Sequence, residues 1–189
     1  MLQTRPVPAI TRHDYAEMPE GPPYYQVIEG ELVMWPGPDT SHQSAAGSIY
    51  WLIRQFLEKH PVGYVFVAPL DVFLTEVNVY QPDVIFISKK RRSIIKKRGI
   101  EGAPELVVEV LSPGTARLDK GSKRKVYART GVRELWLVEP AAKLIHVYYL
   151  FRDAELPVAT YDEQAVFKSP LLPGLRIKAA SIFASPISD

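Results

Sequence analysis

Apolar residues in this chain fall in short, β-branched runs closed by turn residues, interrupted by two longer stretches with helical spacing. Tyr24 to Ile28 and Leu32 to Trp35 predict a strand pair turning at Glu29-Gly30-Glu31. Ser41 is placed to cap a helix reaching about Lys59, with Ala45, Ile49, Leu52, Ile53 and Phe56 along its apolar face. Strands are expected near Tyr64 to Val67 and Asp71 to Leu74, then at Gln81 to Ile87 and Leu106 to Leu111. After a Ser112-Pro113-Gly114-Thr115 turn, Ala116 to Thr130 predicts a helix stopped at Gly131. Strands at Glu134 to Val138 and Leu144 to Leu150 follow, with late strands near 157–168 and a short element at Ile182-Phe183. Residues 1–22 form a proline-rich extension with one short helix expected over Thr11 to Met18. Strands packed with two main helices predict an α/β layer fold with a mixed β-sheet, as one domain over 1–189.

Two of the apolar runs each hold one acid, Asp83 and Glu109. A carboxylate in a buried strand is costly unless it meets a partner or a cation. Two such groups on neighbouring strands can share one divalent ion, because hard cations take carboxylate oxygens. The competing reading puts each acid at a strand end on a solvated face. In the following helix, Asp119, Lys123 and Tyr127 stand at i, i+4 and i+8 beside Val126, a stripe that would turn Lys123 toward the sheet. Spacing alone favours reading Asp119 and Lys123 as an ordinary exposed helix pair.

Composition changes the picture mainly by exclusion. With no cysteine, disulfides, zinc–thiolate sites and thiol nucleophiles are ruled out. No run is long enough to span a bilayer and no signal-type leader opens the chain, so the cytoplasm is expected, without membrane association. No P-loop, dinucleotide fingerprint or nucleophile elbow occurs. Net charge is only +2 but lopsided, since residues 88–133 hold 14 Lys or Arg against 4 Asp or Glu. Lys89, Lys90, Arg91, Arg92, Lys96, Lys97 and Arg98 follow the Asp83 strand. Arg117, Lys120 and Arg124 lie in the helix after the Glu109 strand. Such a band suits the phosphates of a nucleic acid, although charge runs also occur as plain solvated surface.

The chain resembles the Uma2-type proteins (DUF820), a bacterial group of the PD-(D/E)XK restriction-endonuclease-like superfamily. The resemblance rests on Val27-Ile28-Glu29-Gly30-Glu31-Leu32, His42-Gln43, Gln81-Pro82-Asp83-Val84 and Pro104 to Pro113. It continues through Asp119, Lys123, Tyr127 and Gly131 to Pro140. It implies a restriction-endonuclease-like core, a central mixed β-sheet flanked by helices. Pro82-Asp83 is similar to the family's "PD" acid and Glu109 to its second acid. The superfamily lysine two residues later is replaced here by Leu111, and the family's habit of supplying it from the next helix points to Lys123. The family's first segment often carries a glutamate where this chain has Gln26.

These readings converge on a metal-dependent endonuclease acting on DNA, with Asp83, Glu109 and Lys123 as the catalytic set. The resemblance implies Mg²⁺ or Mn²⁺ held by Asp83, Glu109 and the Val110 carbonyl. Secondary candidates are Glu31, a turn acid that could add a carboxylate, and His42, where the resemblance also places a histidine. Gln81, near Asp83, could position substrate or water, and Asp119 and Tyr127 complete the set. A homodimer would be the natural way to cut both strands. The alternative is a catalytically silent nucleic-acid-binding protein on the same fold.

Overall fold

In the computed structural model, residues 8–184 are described apart from 20, 35, 36, 113 and 115. The order begins with α1 (Arg12–Ala16), the hairpin β1 (Tyr25–Ile28) and β2 (Glu31–Met34), and the long α2 (Thr40–Lys59). Next come β3 (Gly63–Val67), β4 (Val72–Thr75), β5 (Asn78–Tyr80) and β6 (Val84–Ser88). A 3-10 segment (Lys89–Ile94) leads to β7 (Ile95–Lys96), β8 (Gly99–Glu101) and β9 (Leu106–Val110). The crossover that follows is α3 (Ala116–Leu118), a π-helical turn (Asp119–Lys123) and α4 (Arg124–Thr130). The chain closes with β10 (Glu134–Glu139), β11 (Leu144–Tyr149), β12 (Ala159–Tyr161), β13 (Val166–Phe167), β14 (Ile177–Lys178) and α5 (Ala180–Phe183).

The central sheet runs β12-β11-β10-β9-β6-β3, and only its β9–β10 pair is parallel. A parallel pair needs a crossover, and the helical segment carrying Lys123 supplies it. Every side chain of β9 is buried, because both faces of the sheet are covered. On one face α2 lays Ala45, Ala46, Ile49, Ile53 and Leu57 against Val84, Phe86, Val108, Val110 and Trp136. The alternate positions Ile85, Ile87, Val107, Leu135 and Leu137 face α4 and a second six-stranded sheet, through Val126, Tyr127, Val72 and Tyr80. Each such buried aliphatic contributes about 1.5–3 kcal/mol relative to exposure. The β9 alternation therefore aims Glu109 at α4.

The expected central mixed sheet with flanking helices is present. Two details differ from the sequence reading. A second sheet, β2-β1-β5-β4-β8-β7, covers the face away from α2. Its strands β5, β7 and β8 are two or three residues long, too short to show a period. The cap of α2 is Asp39 and not Ser41: Asp39 accepts the His42 N–H at 2.8 Å and the Ser41 hydroxyl at 2.7 Å. A carboxylate there serves both the orphan backbone donor and the helix dipole. Gly131 ends α4 at φ 98°, where a side chain would be strained. The short helix expected over 11–18 is α1, capped by Thr11. The N-terminal seven residues and Trp35 of the expected second strand lie outside the described residues. Among the described residues no helix is long and apolar enough to cross a membrane.

Candidate functional site

β6 and β9 pair antiparallel with Val84 opposite Val108 and Ile85 opposite Val107. Continuing that register by one residue sets Asp83, just ahead of β6, across from Glu109. Asp83 is buried and its Oδ2 accepts the Val110 backbone N–H at 2.6 Å. The Asp83 side chain is thus fastened beside Glu109 where β6 begins and β9 ends, at the strand-end edge of the sheet.

Lys123 reaches this edge from the π-helical turn. It is fully buried, donates to Glu109 Oε1 at 3.1 Å, and lies 2.9 Å from Asp119 Oδ1. The exposed-pair reading of Asp119 and Lys123 therefore fails, since both are enclosed. π-turns recur at functional sites, and here one brings both ends of the pair inward. Burial lowers the Lys123 pKa, but the Glu109 and Asp119 carboxyl groups outweigh it and hold the ammonium above its ordinary value. Tyr127 is also buried; its hydroxyl donates to Glu109 Oε1 and its ring meets Tyr80 edge-on, centroids 5.5 Å apart. Tyr80, which the sequence did not single out, also has Lys123 Nζ 5.7 Å from its ring centroid.

Acid outnumbers base in this cluster. Burial pushes the Glu109 carboxyl up, and although Lys123 opposes the shift, Asp119 and Asp83 add to it. Glu109 Oε2 and Asp119 Oδ2 are buried with no hydrogen-bond partner among the described residues. Such orphaned oxygens are what a cation would satisfy. Among the described residues, no group of three His, Asp or Glu is arranged to hold an ion by itself.

His42, on the first turn of α2, is buried with Nε2 3.3 Å from Asp83 Oδ2, and neither ring nitrogen has an aligned hydrogen-bond partner among the described residues. Burial lowers its pKa, but Asp83, with Asp39 and Asp119, raises it overall. His42 and Asp83 line a cavity of about 180 Å³ with Tyr24, Pro69 and Gln81. Gln81 precedes β6, and its amide donates to Asp71 Oδ1 at 2.8 Å. Gln26, in the place of the family's glutamate, is buried and accepts the Gln81 backbone N–H at 3.2 Å. Glu31 is exposed on the hairpin strand β2.

The basic band divides. Lys89, Lys90, Arg92, Lys96, Lys97, Arg98 and Arg117 are exposed. Arg91 lies 3.9 Å from Glu105, Lys120 pairs with Glu139 at 3.3 Å, and Arg98 donates to the Ala16 carbonyl at 3.1 Å. Arg124, expected among the phosphate contacts, differs from these in being enclosed. It is buried, donates to Glu155 at 2.8 Å and to the Lys120 carbonyl at 3.0 Å, and stacks its guanidinium 5.5 Å from the Tyr148 ring.

Residues 12–180 match the Uma2 family, described as "Putative restriction endonuclease". The chain is similar in fold to a crystal structure titled as "a putative nuclease belonging to DUF820 from Anabaena variabilis ATCC 29413". The TM-score is 0.76 at 19% identity, over 92% of this chain and 97% of that one. No curated protein matches.

Proposed function

This chain belongs to the Uma2 family of restriction-endonuclease-like proteins, and on that premise we propose that it is a divalent-metal-dependent nuclease hydrolysing phosphodiester bonds in DNA. The observation that carries the reading is that Asp83 accepts from the Val110 N–H, directly beside the Glu109 that Lys123 meets, with a buried carboxylate oxygen left over on Glu109.

Asp83, Glu109 and the Val110 carbonyl would hold Mg²⁺ or Mn²⁺. The chemistry such an ion supplies is Lewis acidity, which makes water nucleophilic at neutral pH and offsets charge on the attacked phosphate. Asp83 is held ready for this by the Val110 N–H, and Glu109 by Lys123 and Tyr127, so both carboxyl groups are oriented before substrate arrives. Lys123 offsets negative charge at the reacting phosphate through a low-dielectric interior, an effect that needs no direct contact. His42, which lines the cavity beside Asp83, would donate a hydrogen bond to a phosphate oxygen. The exposed lysines and arginines after β6 would hold the flanking phosphates. Two copies acting together would cut both strands of a duplex.

The test is incubation of wild type, Asp83→Ala and Lys123→Ala with supercoiled plasmid and single-stranded DNA, under Mg²⁺, Mn²⁺ or EDTA. Metal-dependent product that disappears in both variants supports the reading; product that survives Asp83→Ala sinks it. The complete burial of Glu109 and Lys123 favours a second reading, a nucleic-acid-binding protein without turnover. That protein would bind in a salt-dependent way, survive Asp83→Ala and give no metal-dependent product.

A further inference from the structure

We infer that the cavity of about 410 Å³ beside Gln81 is a subsite for one unpaired nucleotide whose base carries an exocyclic amino group, a substrate class that deepens the nuclease reading and rests on it.

The cavity shares Tyr24, Pro69 and Gln81 with the smaller one that reaches Asp83 and His42, so the two are neighbouring compartments. A strand whose phosphate sat at Asp83 would carry its next nucleotide toward the larger compartment. That compartment lies at the small-ligand end of binding-pocket volumes, roughly 300–1,000 Å³, room for one nucleotide but not for a base pair with both backbones. The base must therefore leave its stack, as happens wherever proteins read a base in a pocket.

The lining has the three kinds of group that an unstacked nucleotide needs. Tyr24 is 42% exposed, a ring open to stacking on a base. Lys97 and Arg98 line the same cavity from the basic connector and offer cations to the phosphate. Between them stands a fixed polar wall: Asp71 Oδ1 accepts from the Tyr15 hydroxyl at 2.9 Å and from the Gln81 amide at 2.8 Å. That leaves Asp71 Oδ2 and Gln81 Oε1 with no hydrogen bond from the described residues. Two acceptors in one lining favour a group with N–H bonds to give. A carboxylate accepting from the amino group of cytosine is the usual pairing, whereas thymine offers only one ring N–H, flanked by two carbonyl oxygens that would face the acceptors.

The test measures binding in EDTA, where cleavage cannot interfere, by fluorescence anisotropy with labelled oligo-deoxycytidine, oligo-thymidine and a duplex, each about 12 nucleotides long. Oligo-deoxycytidine should bind more tightly than oligo-thymidine. Tyr24→Ala should weaken oligo-deoxycytidine binding about tenfold while Tyr24→Phe retains it, and the duplex, whose base must first unstack, should lose less. Equal affinity for the two single strands, or a Tyr24→Ala loss that is nil or larger for the duplex than for oligo-deoxycytidine, would overturn the subsite. Circular dichroism of Tyr24→Ala checks the fold. Metal-dependent plasmid cutting without these effects leaves the nuclease standing and removes the subsite. The effects without any cutting do the reverse.

Discussion

The Asp83 carboxylate accepts the backbone N–H of Val110 at 2.6 Å, so the first acid is fastened to the residue directly after the second. Removing it therefore has two separable consequences. Asp83→Ala strands a buried donor, which costs about 1–3 kcal/mol, and removes a proposed metal ligand. Asp83→Asn keeps an acceptor for the N–H but not the charge. Cleavage should vanish in both, while urea denaturation should show a clear loss of stability only in the alanine variant. Mn²⁺ should raise the melting temperature of the wild type and of neither variant.

Lys123→Ala should be the more damaging change to the fold. It leaves Glu109 and Asp119 buried without their cation, and breaking such a pair costs about 3–5 kcal/mol. Lys123→Met combined with Glu109→Gln should recover a good part of that loss without restoring cleavage. Chemical denaturation of the single and double variants measures the difference.

Glu134 should leave a mark on the pH dependence of stability. Burial raises its carboxyl above the ordinary 4.5, while hydrogen bonds from Trp136 Nε1 and Ser169 Oγ, both at 2.7 Å, pull it partly back. A raised acid binds its proton more tightly in the folded state, so its contribution is favourable at low pH and is lost as pH climbs from 4.5 through the folded value. Glu134→Gln should therefore gain melting temperature over the wild type at pH 8 relative to pH 4. A flat difference across that range would refute the assignment.

The exposed and buried halves of the basic band should behave differently. Replacing Lys89, Lys90 and Lys96 by alanine should reduce the steepness of log K against log salt by about 0.9 for each duplex phosphate no longer neutralised, with no change in melting temperature. Arg124→Ala should instead lower the melting temperature, because its guanidinium holds Glu155 and covers Tyr148. Anisotropy titrations at several salt concentrations, paired with thermal melts, separate the two.

The two acid-bearing runs, the lysine stripe and both main helices are legible in the sequence because each imposes a local pattern: an acid among β-branched residues, a repeat of four, a glycine stop. The burial of Asp119 and Lys123 is not, since an i, i+4 pair looks alike on either face of a helix and the π-turn that rotates it has no signature in residue type. Arg124 misleads for the same reason, as a charge counted with its neighbours and not by the side it occupies. Tyr80 escapes notice because β5 is three residues long and shows no alternation. Tyr24 and Asp71 acquire meaning only where β1 and β4 are brought to one sheet, a relation between distant segments that no local spacing encodes.

The π-helical turn between β9 and β10 has a consequence for how this protein can change. Because Lys123 is delivered by a crossover and not by the strand, the position two residues after Glu109 is released to be Leu111, part of the core. The site then depends on angular phase. One residue added or removed between Ala116 and Lys123 would turn the ammonium by about 100° around the helix axis. Insertions in that helical stretch should thus leave the sheets assembled while carrying the ammonium away from Glu109, a route to an inert homologue that replaces none of the residues at the site.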